Sequence, residues 1–314
     1  MEYTHKPVLL DACIQALNIR PDGVYVDGTL GRAGHSLEIA RRLTTGRLIC
    51  IDRDQAAIDA AKVRLAPYLD RVTLVHSNFS ELKEVLSAAG VSGADGMLFD
   101  LGVSSPQLDD ASRGFSYMQD APLDMRMDTA APLTAYEVVN TWPQEELRRI
   151  LYEYGEERYA PAIAKAIVRA RETAPVKTTL ELVEIIKGAM PPAALREKQH
   201  PAKRSFQAIR IAVNGELEAL PPMLRAAVDG LNPGGRLAVI TFHSLEDRIV
   251  KRTLAELARG CVCPPEFPVC VCGRKPQVRL VTRKPITADG AELEENPRAR
   301  SAKLRVAEKC GFDL

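Results

Sequence analysis

The amino-acid sequence predicts an α/β fold in which a parallel β-sheet is interrupted by an inserted all-helical domain. In the first 107 residues, short β-prone runs alternate with helical patterns, which is typical of βαβ units. Helical patterns alone fill residues 108–210, and β-prone runs resume within 211–314. We therefore divide the chain into a sheet domain formed by 1–107 and 211–314 and a helical insertion, 108–210, which we expect to recognise the substrate.

The first segment begins with a helical pattern and continues through four β-prone runs. Residues 8–17 have apolar side chains at the spacing of one helix face, and Pro7 suits the first turn of that helix. Asp54 is the predicted N-cap of a later helix. The predicted strands cover residues 24–26, 48–51, 72–75 and 96–102.

A glycine-rich turn follows the first predicted strand. Glycines occupy positions 28, 31 and 34, and a helical pattern with Leu37, Ala40 and Leu43 on one face comes next. A strand, a tight glycine turn and a helix N-terminus form the opening of a nucleotide-binding α/β unit. Asp52 ends the following strand, where a carboxylate can accept hydrogen bonds from ribose hydroxyls. These features predict a ligand of the adenosine type.

The spacing of the glycines and the residue before them favour one kind of adenosine ligand. Dinucleotide sites normally have the spacing G-x-G-x-x-G, whereas this turn has G-x-x-G-x-x-G. Asp27, directly before the first glycine, would repel a pyrophosphate but suits a ligand with a cationic end. S-adenosylmethionine is therefore favoured, and a nicotinamide-dependent oxidoreductase is the alternative enzyme.

Four candidate ligand-binding side chains follow the ends of predicted parallel strands. Ligands of such sheets bind beyond the carboxyl ends of the strands, so Asp27, Asp52, Phe79 and Asp100 are expected to lie at one edge. Phe79 has two interpretations, since it can cover an adenine ring or cap the local core. The convergence of the four residues predicts the main site.

The rest of the chain supplies the helical insertion and the end of the sheet. Helical patterns cover Gln144–Tyr154, Tyr159–Arg171 and Leu180–Met190. The sheet resumes after Gly234-Gly235 with a strand over 236–242, and β-prone pieces at 278–281 and 304–306 are expected to complete it.

Composition places the protein among ordinary globular proteins. Its 314 residues are 46% hydrophobic and 26% charged, with a formal net charge of +1. No apolar run approaches the length of a membrane span, and the N-terminus lacks the apolar core of a signal peptide. An odd count of seven cysteines argues against a secreted disulfide framework. We expect a cytoplasmic protein without membrane contact; its oligomeric state is left open.

Five blocks of the sequence together resemble one protein family. They cover 27–35, 100–107, 113–117, 241–248 and 296–301. In this order they are similar to the signature blocks of the bacterial RsmH (MraW) family of 16S rRNA cytosine-N4 methyltransferases. The resemblance implies a Rossmann-like class I methyltransferase sheet with a helical insertion. It also implies S-adenosylmethionine as the cofactor, and cytidine 1402 of 16S rRNA in the small ribosomal subunit as the substrate.

The same resemblance implies a set of cofactor contacts. The family pattern often has Gly-Gly-His where this chain has Ala33-Gly34-His35, and we expect the additional methyl group to be tolerated because the backbone makes that contact. The implied cofactor-binding residues are Ala33, Gly34, His35, Asp52, Phe79, Asp100 and Gln107.

Methylation of an exocyclic amine needs an acceptor for one proton and an in-line approach of the amine to the methyl group. Asp100, or the loop carbonyls after it, is the predicted acceptor, with Ser104 and Ser105 in support; alternatively, Asp100 contacts only the cofactor. We interpret His35 and His243 as hydrogen-bonding residues rather than bases. The absence of a Pro-Cys pair disfavours a covalent cysteine route to carbon methylation.

The target base must leave its stack to react, so aromatic side chains near the site are of interest. Phe115 and Tyr117 are the predicted stacking residues, whereas Phe242, on a strand, is interpreted as core. Three basic segments are the predicted phosphate contacts: segment 1 (196–210), segment 2 (274–284) and segment 3 (298–305). A ribosome-assembly factor that binds RNA without catalysis is the alternative from another functional class.

Four of the seven cysteines form a C-x-C…C-x-C pair. Cys261, Cys263, Cys270 and Cys272 flank a Pro-rich loop and are able to surround one zinc ion. The usual spacing is C-x-x-C, so a structural zinc and a set of reduced loop thiols both remain open. A catalytic metal is not expected.

Overall fold

The computed structural model describes residues 7–264 and 266–311. Two compact units are formed, one by the residues up to Gly102 together with those from Leu217 onward, and one by Val103–Glu216. The first contains the sheet and the second is helical.

The strands are β1 Val24–Asp27, β2 Arg47–Asp52, β3 Val72–His76, β4 Ala94–Asp100, β5 Leu231–Thr241, β6 Val278–Leu280 and β7 Lys303–Lys309. The α-helices are α1 Leu10–Leu17, α2 Gly34–Ala40, α3 Gln55–Arg64, α4 Leu82–Ala88, α5 Ser105–Asp109, α6 Ala135–Thr141, α7 Gln144–Glu153, α8 Ala160–Thr173, α9 Thr179–Gly188, α10 Lys203–Asn214, α11 Leu220–Asp229, α12 Ser244–Leu257 and α13 Gly290–Glu295.

The sheet has the strand order β3-β2-β1-β4-β5-β7-β6. Strands β1 to β5 pair in parallel, whereas β7 runs antiparallel to both β5 and β6. The order reverses between β1 and β4, and such a switch point opens a crevice beyond the carboxyl ends of the two strands. The predicted fold class, a Rossmann-like sheet with an all-helical insertion, is confirmed.

Helix α1 and strands β4 and β5 begin elsewhere than the sequence pattern indicated, and β4 covers Ala94–Asp100 instead of 96–102. Helix α1 starts at Leu10 because Leu9 adopts a left-handed conformation (φ 53°), so Pro7 lies outside the helix and not in its first turn. Strand β5 starts at Leu231, before the glycine pair rather than after it, because Ala94 of β4 already pairs with Leu231. The prediction that Asp54 is an N-cap is confirmed: it precedes α3, and its side chain accepts a hydrogen bond from Ala56 N.

The core of the sheet unit lies on both faces of the buried central strands. Tyr25, Ile49, Leu98 and Phe99 are almost completely inaccessible, as expected for parallel strands that helices cover on both sides. At the end of β1 the backbone of Gly28 runs directly against the Phe99 ring, and a methyl group at this position would overlap the ring. Gly28 is therefore required by close packing.

The helical unit has a core of its own. Leu147, Ile150, Ile163 and Ile167 of α7 and α8 are buried in it with the residues of α6, α9 and α10. An apolar face is the pattern that predicted α7, α8 and α9, whereas α6 and α10 were not predicted individually. None of the helices in the described part of the chain is long and apolar enough to cross a membrane.

We expect Gly28→Ala to destabilise the sheet unit by about 1–3 kcal/mol, because the additional methyl group forces the Phe99 ring or β1 to move. Gly188→Ala is the matched control, since no atom lies within 4 Å of the corresponding position in α9. There the substitution is expected to leave the free energy of unfolding unchanged or to raise it slightly. Urea denaturation measures both, and equal stability of the two variants would contradict the packing argument.

Candidate functional site

Three aspartates end neighbouring strands at one edge of the sheet. Asp27, Asp52 and Asp100 are the last residues of β1, β2 and β4, and Phe79 lies in the turn three residues after β3. The four residues that the sequence placed at this edge are therefore at the carboxyl ends of four adjacent strands. The crevice at the strand-order reversal lies between Asp27 and Asp100.

Asp27 is turned into the protein and anchors the glycine turn. Its side chain is only 1% exposed, accepts a 2.6 Å hydrogen bond from Ser36 Oγ and a 3.2 Å hydrogen bond from Thr29 N. Burial raises its pKa to about 6, so it is mostly ionised at neutral pH. The expectation that the Asp27 carboxylate contacts the cationic end of a ligand is therefore wrong. Its negative charge nevertheless acts on Asp100.

Asp52 holds the same turn from the neighbouring strand. Its two carboxylate oxygens accept hydrogen bonds from Gly31 N at 2.7 Å and from Asp54 N at 2.9 Å. Gly31 has a positive φ of 50°, and the space where a side chain would begin is open. Ala33 is fully buried and adopts φ 58°, a left-handed conformation that favours glycine. The turn thus offers backbone to a ligand and few side chains.

Asp100 is the most unusual group at this edge. Its Oδ1 is buried and has no hydrogen-bond partner among the described residues, whereas the side chain as a whole is 26% exposed. Its backbone N–H donates to Thr29 Oγ1 at 2.6 Å, which fixes the end of β4 to the glycine turn. Burial, together with the negative charges of Asp27 and Glu246, raises the pKa of Asp100 to about 8. At neutral pH the carboxyl group is therefore mostly protonated in the protein alone.

His35 faces Asp100 from the first turn of α2. Its Nε2 lies 3.1 Å from Val8 O, and its Nδ1 lies 3.8 Å from Asp100 Oδ2. Burial lowers its pKa to about 4, so the imidazole is neutral at physiological pH. A neutral ring gives Asp100 no compensating positive charge, and a pKa this low is unsuitable for a general base. The negative charge of the site is therefore not compensated by the described residues, and a bound cation would compensate it.

Glu246 is a buried acidic residue that acts electrostatically on Asp100 and that the sequence did not single out as a site candidate. It is 2% exposed, lies in the first turn of α12 and accepts hydrogen bonds from Phe242 N at 2.8 Å and His243 N at 3.2 Å. His243 is the N-cap of this helix. The available signal was the position of Glu246 three residues after the cap, which is the position of a capping-box carboxylate. Its charge contributes to the raised pKa of Asp100.

The aromatic residues near the strand ends are partly buried. The Phe79 ring lies edge-to-face against Phe99, with ring centroids 6.2 Å apart and planes at 85°. This contact ties Phe79 to the core while part of its side chain stays accessible, so both interpretations of this residue remain available. Phe242 packs partly buried against the sheet core, in agreement with its interpretation as core.

The remaining predicted site residues belong to the helical unit. Ser104 precedes α5 and Ser105 begins it. The Gln107 side chain is buried, and its Oε1 accepts a 3.0 Å hydrogen bond from Ser104 N. Gln107 therefore closes the first turn of this short helix with one of its polar atoms.

The two aromatic residues predicted to stack on the target base differ in accessibility. Phe115 is 6% exposed and is part of the helical core, so the prediction that it stacks on a base is wrong for this conformation. Tyr117 is partly accessible and stacks on His200, with ring centroids 4.6 Å apart and planes at 15°. Tyr117 and His200 therefore form a stacked, partly accessible aromatic pair in this unit.

Several cations of the three basic segments are used inside the protein. Arg210 of segment 1 pairs with the buried Glu216 at 2.9 Å, and Arg305 of segment 3 is 8% exposed and pairs with Asp247 at 2.7 Å. These two arginines are not available to phosphate, which corrects the sequence prediction. Arg279 and Lys303 also form ion pairs, with Glu308 and Asp247. Exposed cations of the three segments include Arg196, Lys198, Lys203, Arg283, Lys284 and Arg300.

Comparison with known proteins identifies the family of this chain. The chain is 58% identical over 310 residues to the ribosomal RNA small subunit methyltransferase H of Brevibacillus brevis, a match that covers 98% of this chain and 99% of that protein. It is 59% identical to the protein of the same name from Paenibacillus sp. and 55% identical to that of Clostridioides difficile, again over 98% of this chain and 99% and 100% of those proteins. Residues 2–310 match the MraW methylase family. The chain therefore belongs to the MraW methylase family and is a methyltransferase.

Proposed function

We propose that this protein transfers a methyl group from S-adenosylmethionine to N4 of cytidine 1402 in the 16S rRNA of the small ribosomal subunit. The family and the names of its relatives support methylation of small-subunit rRNA. The acidic crevice at the strand-order reversal supports a cationic nucleoside as the methyl donor. The proposal for the individual nucleotide rests on the resemblance of the five sequence blocks to the family.

The observation that carries the proposal is the buried, unpaired Oδ1 of Asp100. A buried polar atom without a partner is costly, and sites that tolerate one usually bind a ligand there. Asp27 and Glu246 add negative charge around it, and the neutral His35 does not compensate that charge. A dinucleotide with its pyrophosphate is disfavoured by the same charges, which argues against the oxidoreductase alternative.

The residues at the edge fit the proposed donor. Asp52 and the backbone of the glycine turn would hold the ribose side, Phe79 would cover the adenine, and Asp100 would face the cationic end. When bound, S-adenosylmethionine supplies an electrophilic methyl group. The further contacts proposed from the resemblance are Ala33, Gly34, His35 and Gln107.

The chain must also remove one proton from N4 of cytosine as the new N–C bond forms. Asp100 accepts a proton only when it is ionised, and a positive charge beside it favours the ionised form. We propose Asp100 as the acceptor, with the Ser104 and Ser105 hydroxyls orienting the base by hydrogen bonds. The proposal also assigns RNA recognition to the helical unit, in particular to Tyr117, His200 and the exposed cations of segment 1.

The function is tested by incubating the purified protein with S-adenosylmethionine and small ribosomal subunits that lack the modification. We expect methyl transfer to 16S rRNA, with N4-methylcytidine at position 1402 identified by nuclease digestion and mass spectrometry. A methyl group on a cytosine carbon, or binding of the subunit without methyl transfer, would contradict the proposed activity. The second outcome would favour the assembly-factor alternative.

The pKa of Asp100 predicts how donor binding depends on pH. Below about pH 8 the carboxyl group is protonated, and a bound cation favours its ionised form, so binding releases a proton. The affinity for S-adenosylmethionine is therefore expected to rise by up to about tenfold per pH unit as pH approaches 8, and to level off above it. Calorimetry between pH 6 and 9 measures this dependence.

The variant Asp100→Asn is expected to bind the donor more weakly at pH 8 and to lose most of the pH dependence. Asp59→Asn is the matched control, since Asp59 is an exposed residue of α3 outside the site, and it should keep the wild-type profile. A wild-type affinity that does not change with pH, or an unchanged profile in Asp100→Asn, would argue against Asp100 as the group that faces the cation.

Exposed cations of segment 1 are expected to contact rRNA phosphates. Lys198→Glu should reduce methylation of small subunits by about tenfold at moderate salt and leave the affinity for S-adenosylmethionine unchanged, because phosphate contacts act on the RNA alone. Lys165→Glu reverses an exposed charge of α8 in the same unit and serves as control. Equal loss in the two variants would indicate a general effect of net charge.

A further inference from the structure

The loop between α12 and β6 contains four cysteines that the proposed reaction does not use. It covers residues 258–277 and returns to its starting point, since Gln277 N donates to Leu257 O at 2.8 Å. Within residues 258–264 and 266–277 the loop has no apolar core of its own, because Val269 and Val271 are 70% and 73% exposed and Phe267 is 49% exposed. A loop of this length whose described residues form no helix or strand needs another source of order.

The four thiols converge on one point. The sulfur atoms of Cys261, Cys263, Cys270 and Cys272 all lie within 4.8 Å of one another. Three of the separations are 3.5 Å for Cys270–Cys272, 3.8 Å for Cys272–Cys261 and 4.0 Å for Cys263–Cys270. Four sulfurs bound tetrahedrally at about 2.3 Å from a zinc ion are about 3.8 Å apart, so the observed cluster has the size of a tetrathiolate zinc site.

The backbone around the cluster also favours thiolates. Cys263 N donates to Cys261 Sγ and Val271 N donates to Cys263 Sγ, both at 3.4 Å, so N–H dipoles point at two of the sulfurs. Gly273, directly after the last cysteine, has a positive φ of 61° that turns the chain back. The two C-x-C pairs therefore present four sulfurs to one centre despite a spacing one residue shorter than the usual C-x-x-C.

The separations of the four sulfur atoms do not fit two disulfides. A disulfide brings two sulfurs to about 2.05 Å and places no constraint on a second pair, whereas here each of the four sulfurs lies near the other three. All seven cysteines, including the buried Cys13 and Cys50, are free thiols. Soft thiolate ligands in tetrahedral arrangement select zinc over magnesium or calcium.

We propose that Cys261, Cys263, Cys270 and Cys272 bind one structural Zn²⁺ ion that orders the loop between α12 and β6. The ion has four protein ligands and no open position, so it takes no part in methyl transfer. Its effect is local, because it fixes only this loop. Arg274 of the loop also donates a 2.8 Å hydrogen bond to Glu256 O near the end of α12. Lys275, an exposed cation of segment 2, is held by the same loop.

The test uses the full-length chain without an affinity tag, purified under reducing conditions, with metal content measured by inductively coupled plasma mass spectrometry. We expect about one zinc per chain. Replacement of the zinc by Co²⁺ should give the visible absorption bands of tetrahedral cobalt bound to thiolates. Removal of the zinc by a chelator should make the loop the first site of cleavage in limited proteolysis.

Variants identify the ligands. Cys263→Ser and Cys272→Ser are expected to lower zinc affinity by more than about tenfold, measured by competition with a chromogenic chelator. Cys310→Ser removes a thiol outside the cluster and should keep wild-type affinity. Circular dichroism establishes that each variant is folded. Zinc retained equally by all three variants, a chain that takes up no zinc after reduction and zinc addition, or iron in place of zinc would each overturn the proposal.

Discussion

The candidate site depends on one electrostatic constraint, the position of the partly buried Asp100 carboxyl group at the end of β4 among other acidic groups. Asp27 is on the neighbouring strand, Glu246 is on the first turn of α12, and His35 beside them is neutral. With no described residue bonded to Oδ1, the carboxyl group avoids a large desolvation penalty by remaining protonated at neutral pH. A cation that enters the crevice stabilises the ionised form of the carboxyl group. The site is therefore complementary to positive charge.

The other acidic residues at this edge have a different physical role. Asp27 and Asp52 accept hydrogen bonds from Ser36, Thr29, Gly31 and Asp54, and thereby fix the glycine turn. Glu246 does the same for the first turn of α12. These carboxylates therefore hold the turns at this edge in place and add negative charge near Asp100. Asp100 is left as the group whose charge can change with ligand binding.

The sequence predicted the arrangement of the sheet well because the relevant signals are local. The glycines at 28, 31 and 34, the cap at Asp54 and the apolar strands each depend on a few neighbouring residues, and parallel topology then places the strand ends together. The direction in which a side chain points is not local. Asp27 turns inward because Ser36, nine residues later, offers a hydrogen bond, and the burial of Phe115 depends on the whole helical core.

Charges were the least predictable feature for the same reason. Arg210 and Arg305 stand in basic segments that look like phosphate contacts, but each pairs with an acidic residue, Glu216 and Asp247, that the run of charges does not reveal. The raised pKa of Asp100 likewise arises from residues on three elements of the fold. In contrast, the cysteine spacing left a structural zinc and a set of reduced thiols both open, and the structure adds the convergence of the four sulfurs.

The most direct measurement of the central claim is the number of protons released when S-adenosylmethionine binds at pH 7. Calorimetric titrations in buffers with different ionisation enthalpies give this number from the slope of the observed enthalpy. With the pKa of Asp100 at about 8 in the protein alone, close to one proton, about 0.9 per site, is expected to leave. Binding without proton release, or with proton uptake, would show that the Asp100 carboxyl group is not neutral before the ligand arrives and would contradict the account.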